Sequence, residues 1–171
     1  MPFKHAFTIS KGTKTHQPTF VTELEFMGKQ GYGEAPAISY YNIPVEKMQS
    51  DLQAKQQMAE KFAYTEPERY WHYLHHLFPG NGFLVCPLDI ASWDMYGKMR
   101  RTPLYKLFNA DPAKAPLTDY TIGIDSNEKM LAKMAEMPWP VYKIKLGTDR
   151  DIEILKALRD ATDKPLRVDA N

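Results

Sequence analysis

Two lysines separated by one isoleucine, Lys143 and Lys145 in VYKIKLG, place paired ammonium groups in an otherwise apolar stretch. Side chains of a strand alternate faces, so the lysines share one face with Val141, while Tyr142, Ile144 and Leu146 share the other. The apolar face is ready to pack; the lysine face is either solvated or part of a site. A bare K-x-K decides nothing alone, nor does the D-A-N at 169–171, and a solvated face is the commoner outcome for each. Their value lies in combination. Lys145 and Asp169 fall at the C-terminal ends of successive predicted strands, and Thr121 lies on the polar face of a third. A row of Thr121, Lys143, Lys145, Arg167 and Asp169 on one face of a parallel sheet is costly. Both faces of such sheets are normally buried, and an unpaired buried charge costs several kcal/mol. A barrel lumen open at the strand C-termini removes the conflict, and barrel active sites sit there.

These residues need elements to hold them. From residue 116 onward the pattern alternates: a strand in DYTIGI, a helix in DSNEKMLAKMAEM, a strand in VYKIKL, a helix in TDRDIEILKALRDAT and a strand in PLRVDAN. This β-α-β-α-β order predicts parallel strands with right-handed crossovers. Asp125 with Glu128, and Thr148 with Asp151, have capping-box spacing at the two helix starts. Met130, Met134 and Met137 are expected along one side of the first helix. The preceding region reads differently. HAFTIS, TFVTELEF and GYGEA are short extended segments, with MGKQG as a turn. Helices are predicted from Pro44, through TEPERYWHYLHHLF, and through LDIASWDMYGKM. The Ala/Pro-containing ADPAKAPL marks a boundary, giving an expected division into 1–115 and 116–171.

Composition excludes several function classes. Lys+Arg 22 against Asp+Glu 21 leaves no surplus of either sign, so neither nucleic acid nor a membrane surface is an expected partner. The single cysteine, Cys86, cannot form an internal disulfide and is expected as a small packed residue in a reducing compartment. The sequence shows no run of the ~20 apolar residues a membrane span requires and no signal-peptide pattern, so a cytoplasmic location is expected. His72, His75 and His76 have the helical spacing of a zinc clip, yet the interleaved Trp71, Tyr73, Leu74 and Leu77 favour an ordinary buried helix. Gly31 and Gly33 lack the following helix of a phosphate loop, so turn and packing roles are expected.

YTIGID, YKIKLG, the helix starting DIEILKALRD, and LRVDAN resemble the start of the barrel in the enolase superfamily. More narrowly they resemble its muconate-lactonizing subgroup and the dipeptide epimerases of the L-Ala-D/L-Glu type. GYGEAP and LDIASWDMYGKMRRTPLYKLF resemble that family's capping domain. The resemblance implies an α+β capping domain over 1–115. Over 116–171 it implies the first βα units of an incomplete (β/α)7β TIM-like barrel, truncated after the third strand. It further implies that Lys145 is the acid/base and that Lys143 contacts the substrate carboxylate. Asp169 would be the first of three acidic Mg²⁺ ligands, and Thr121 would touch substrate.

The implied reaction is Mg²⁺-dependent epimerisation of a dipeptide by α-proton abstraction through an enediolate. A hard dication with oxygen ligands stabilises the two developing negative charges. A lysine serving as base must titrate near 7–8, and a second ammonium and a dication both push in that direction. No residue here matches the second acid/base that epimerisation needs. A complete barrel takes roughly 250 residues, so the chain is expected to be the N-terminal portion of a longer enzyme, inactive alone and prone to self-association at its open strand edge. SKGTKTHQ and ISYYN are the segments expected to set specificity. Lys11, Lys14, Tyr40 and Tyr41 are candidates there, weighed against surface lysines and packed tyrosines. The alternatives are an N-acylamino acid racemase, an o-succinylbenzoate synthase or a cycloisomerase of the same subgroup, or a non-catalytic capping or binding fragment.

Overall fold

The computed structural model describes residues 2–170, apart from the Tyr40 side chain. The chain runs through β1 (Pro2–Ile9), β2 (Gly12–His16), β3 (Thr19–Phe26) and β4 (Lys29–Pro36). Helices α1 (Val45–Glu60), α2 (Pro67–Leu77), α3 (Gly82–Met99) and the short α4 (Leu104–Leu107) follow. Then come β5 (Tyr120–Ile122), α5 (Asn127–Glu136), β6 (Tyr142–Lys145), α6 (Asp151–Asp160) and β7 (Leu166–Asp169). The contacts define two compact units. One spans Gln17–Ala113; the other joins Pro2–His16 to the chain from Lys114 onward.

In the first unit β3 and β4 form an antiparallel hairpin. Its turn residues Met27 and Gly28 both have positive φ, 50° and 68°, the backbone twist that a two-residue hairpin requires. The alternation TFVTELEF turns Thr22 inward to full burial and leaves Val21, Glu23 and Glu25 exposed. Gly31, Gly33 and Ala35 form the inner face of β4, opposite α3. A Cβ at Gly31 would lie 2.0 Å from the Ala91 carbonyl oxygen, and one at Gly33 1.8 Å from that of Pro87. Only hydrogen side chains let the two backbones approach this closely, so the packing reading of these glycines holds and the turn reading does not.

Pro67 opens α2 at a position where its missing N–H is not needed. Tyr70, Leu74 and Leu77, at i, i+4 and i+7, are buried beside Met48, Leu84 and Leu88. Helix α3 starts earlier than the sequence pattern indicates, because Asn81 caps it by accepting from the Leu84 N–H at 3.2 Å and Pro87 is accommodated inside. The carbonyl of Pro87 also accepts the Thr22 hydroxyl at 2.9 Å. Cys86 is exposed on this helix, contrary to the packed position expected, since its neighbours Val85 and Pro87 turn inward instead. His75 and His76 satisfy Nδ1 on the carbonyls of Trp71 and His72 one helical turn back.

The second unit is built on the parallel sheet β5-β6-β7. Ile122 and Ile144 are fully buried on one face, against Met130 and Met134 of α5 and Ile154 and Leu158 of α6. Each such side chain contributes about 1.5–3 kcal/mol of burial. Met137, expected on the same side, lies just past the end of α5 and is exposed. Val168 is 57% exposed, because β7 is the edge of the sheet. Helix starts differ from the capping-box readings, by one residue at α5 and by two at α6, where Arg150 rather than Thr148 precedes the first turn. Ser126 caps α5 by accepting from the Lys129 N–H, and Asp125 instead takes the Ser126 N–H and the Lys129 ammonium. At α6, Asp151 reaches back to the N–H groups of Gly147 and Thr148.

The β1–β2 hairpin belongs to this unit by contact, not to the rest of 1–115. The Thr8 carbonyl accepts the Ile124 N–H at 2.9 Å, and Glu136 of α5 accepts from Lys4 and pairs with His5. Strand β2 falls in SKGTKTHQ, read from sequence as a loop. Its exposed polar residues give no apolar alternation, and pairing with β1, including a Thr8–Thr13 hydroxyl contact, holds it.

Candidate active site

The parallel register sets the geometry. Thr121, Lys143 and Arg167 lie abreast on β5, β6 and β7, and Lys145 and Asp169 lie abreast one pleat further on. The apolar alternation of YKIKL locks this register, since a one-residue slip would expose Ile144 and bury both ammonium groups. All four predicted site residues therefore share the face opposite the Ile122–Ile144 core.

Lys143, Lys145 and Asp169 are brought together. The Nζ atoms of Lys143 and Lys145 lie 2.8 and 2.9 Å from the same carboxylate oxygen, Oδ2 of Asp169. Lys145 is the most enclosed of the three, its side chain 16% exposed against 27% for Asp169 and 37% for Lys143. Two ammonium groups thus meet at one carboxylate at the C-terminal strand ends. Thr121 sits half-buried one strand away, beside Lys143. Arg167, on the same face, pairs with Asp119 at 2.7 Å.

The hairpin adds a feature that the sequence reading missed. Gly123, just past β5, packs closely on β1: a Cβ there would meet the Thr8 oxygen at 3.1 Å and the Phe7 ring at 3.2 Å, a tight fit that β1 would have to accommodate by a few tenths of an ångström. The β1 backbone thus abuts the C-terminal end of β5, next to Thr121. The visible signal was Gly123 interrupting a polar strand face. Tyr41 packs against Phe83 with ring centroids 6.0 Å apart, in the first unit, while the Tyr40 side chain lies outside the described residues, as does Asn171.

A Mg²⁺ ion takes oxygen ligands in a near-octahedral shell, with one or two carboxylates, waters and substrate. Asp169 is the right donor in kind, a hard carboxylate at a strand end. It is not enough in number: no group of three or more His, Cys, Asp or Glu side chains that would hold a metal occurs among the described residues. Within these residues, the two lysines supply the positive charge next to Asp169.

Antiparallel strands, a helical segment and parallel βα units define an α+β cap followed by the opening of a βα barrel. These match the N-terminal capping domain and partial barrel of enolase-superfamily enzymes. No family model matches the chain. It is 43% identical over its whole length to an L-Ala-D/L-amino acid epimerase from Flavobacterium johnsoniae, of which it covers 51%. A solved enolase-family member from Agrobacterium tumefaciens has homology to dipeptide epimerases and contains sodium and L-Ala-L-Glu. It superposes with a TM-score of 0.81 at 29% identity, over 99% of this chain and 51% of that one. A dipeptide epimerase from Enterococcus faecalis, complexed with Mg and L-Leu-L-Tyr, gives 0.85 at 27% identity, over 100% of this chain and 51% of that one. In sequence and fold the chain resembles enolase-superfamily dipeptide epimerases, and it spans about half the length of the curated relatives it matches.

Proposed function

We propose that the chain carries half of the active site of an isomerase that epimerises a dipeptide by removing the proton α to its carboxylate. Lys145 is the acid/base that moves this proton, and Lys143 holds the substrate carboxylate. Thr121 contacts the substrate from β5, and Asp169 is one ligand of a Mg²⁺ ion whose other protein ligands lie outside residues 2–170. That ion, when bound, stabilises negative charge on the enediolate oxygens. One observation carries the reading: both ammonium groups converge on a single Asp169 oxygen. They do so on the polar face of a sheet whose other face is core.

In this scheme Asp169 would hold the ion, and the two lysines would then be available to the substrate. Lys143, the more exposed, meets the incoming carboxylate. Lys145, the more enclosed, is shielded from bulk water, as a general base must be to act selectively. The second acid/base lies outside these residues, so the 171-residue chain alone does not turn over. The dipeptide reading rests on the relatives' activities, and a cytoplasmic location belongs to the same proposal.

The test uses a protein of the relatives' full length that contains this sequence. It is incubated in D₂O with Mg²⁺ and either L-Ala-L-Xaa dipeptides or N-succinyl amino acids, and α-proton exchange is followed by NMR. Exchange and epimerisation of a dipeptide are expected, with Lys145→Met lowering the rate about 10²–10⁴-fold. Turnover of N-acyl amino acids alone would transfer the protein to the racemase alternative. An undiminished rate in Lys145→Met would remove Lys145 from the chemistry.

A further inference from the structure

Arg167 stands among the lysines yet takes a different anion. On the polar face of the sheet it lies abreast of Lys143, while Lys145 and Asp169 lie abreast one pleat further on. Adjacent strands are about 4.8 Å apart, so Lys143 and Arg167 are like charges on neighbouring strands, an arrangement destabilising by itself. Asp169 stands two residues beyond Arg167 on the same strand and face, roughly 6.6 Å along it. A guanidinium forks onto a carboxylate in a way that an ammonium cannot, which makes Arg167 the natural competitor for Asp169.

Its partner is Asp119 instead, Nη1 to Oδ1 at 2.7 Å. With the strand order β5-β6-β7, this pair reaches across β6, a span of about 9.6 Å between the outer strands. Asp119 directly precedes β5, whose Thr121 is level with Lys143. The guanidinium is therefore drawn to the N-terminal side of Lys143, whereas Asp169 lies on the C-terminal side. Asp119 is half-buried and its backbone is held on both flanks. The Trp139 indole N–H donates to the Thr118 carbonyl at 2.7 Å, and the Tyr120 N–H donates to the Val141 carbonyl at 3.0 Å. With Arg167 so anchored, Asp169 receives both lysines on Oδ2.

We propose that Asp119 is a positioning residue: by anchoring Arg167 toward the N-terminal ends of the strands it keeps the guanidinium off Asp169 and so decides which cations that carboxylate meets. Without the Asp119 charge, Arg167 turns toward the C-terminal ends, forks onto Asp169 and displaces Lys143 and Lys145 from it. The same exchange would leave Asp169 less available to a dication. That last consequence rests on the proposed role of Asp169 as a Mg²⁺ ligand; the exchange of cations does not.

Two measurements test it. In the 171-residue chain carrying isotope-labelled lysine, the side-chain Cε–Hε NMR signals of Lys143 and Lys145 are followed, assigned through Lys143→Gln and Lys145→Gln. Asp119→Asn, which keeps the shape and removes the charge, is expected to move both signals. Asp119→Glu, which keeps the charge, should leave them near wild type. The double substitution Asp119→Asn/Arg167→Gln should return them to their positions in Arg167→Gln alone, a rescue that a purely structural role for Asp119 does not give. Unmoved signals in Asp119→Asn overturn the proposal. So does a double variant that fails to return, whether or not the single variant folds, because the effect then lies in local packing. In a protein of the relatives' full length that contains this sequence, Mg²⁺ binding is measured by calorimetry. Asp119→Asn should weaken it about 10–100-fold, and the double substitution should restore it. Lysine signals that respond as expected beside an unchanged Mg²⁺ affinity would uphold Asp119 as the anchor of Arg167 and remove Asp169 from the metal ligands, so the two readings fail separately.

Discussion

At Asp169 two ammonium groups share one carboxylate oxygen, and their mutual repulsion is held in check by that oxygen. Asp169→Asn keeps the shape and removes the charge, so Lys143 and Lys145 then face each other without their shared anion. The expected outcome is a melting temperature below wild type in low salt. The deficit should narrow in 1 M NaCl, where the Debye length falls to about 3 Å. A salt-independent deficit would trace the loss to packing rather than to the ammonium pair. The lysines and Asp169 were legible as a group because strand parity alone puts them on one face. Their convergence on one oxygen was not, since it depends on the diagonal between Lys143 and Asp169, a property of parallel register rather than of either strand.

Among the elements, α6 gives the clearest electrostatic handle. The Thr148 N–H hydrogen bond leads in holding the Asp151 carboxyl below its ordinary value of 3.8. The Gly147 N–H and the Thr148 hydroxyl add to it against a smaller opposing effect of burial. A depressed folded-state value means that ionised Asp151 stabilises the fold above about pH 4. That contribution disappears as pH falls through the lower, folded value. Asp151→Asn should therefore melt below wild type at pH 7, and the two curves should converge on acidification from pH 4 to pH 2. A gap that is constant across that range would mean that the charge at 151 does not matter. Helix and strand types were readable here from alternation and periodicity. Cap positions slipped, from Asp125 to Ser126 at α5 and from Thr148 to Arg150 at α6, because several neighbouring side chains can serve a helix start and only backbone geometry selects among them. Strand β2 escaped notice for a related reason: GTKTH carries no buried face, so no pattern records it.

For the molecule as a whole, two units arise from one chain with a discontinuous partition. The change of pattern at ADPAKAPL led to an expected boundary at 115/116, and the contact division falls at 113/114. Nothing local in PFKHAFTI reveals that it joins a unit beginning about a hundred residues later. Its partners, the Ile124 amide and the Glu136 carboxylate, are distant in sequence. A chain beginning at Gln17 should accordingly lose hydrogen-exchange protection at the Ile124 amide, which donates to Thr8, while the amides of α2 and α3 keep theirs. Unchanged protection at Ile124 would show that the hairpin is not what orders the end of β5.

The split membership of the hairpin also fixes an order of events during synthesis. Residues 2–16 leave the ribosome roughly a hundred residues ahead of Lys114, a lag of about 5–20 s at ordinary elongation rates. The intervening Gln17–Ala113 segment emerges in that interval, while residues 2–16 wait for their docking partners. Translation speed across the α3–β5 stretch, and any chaperone that meets the nascent hairpin first, therefore bear on whether the lysine-bearing sheet is assembled with its proper cover.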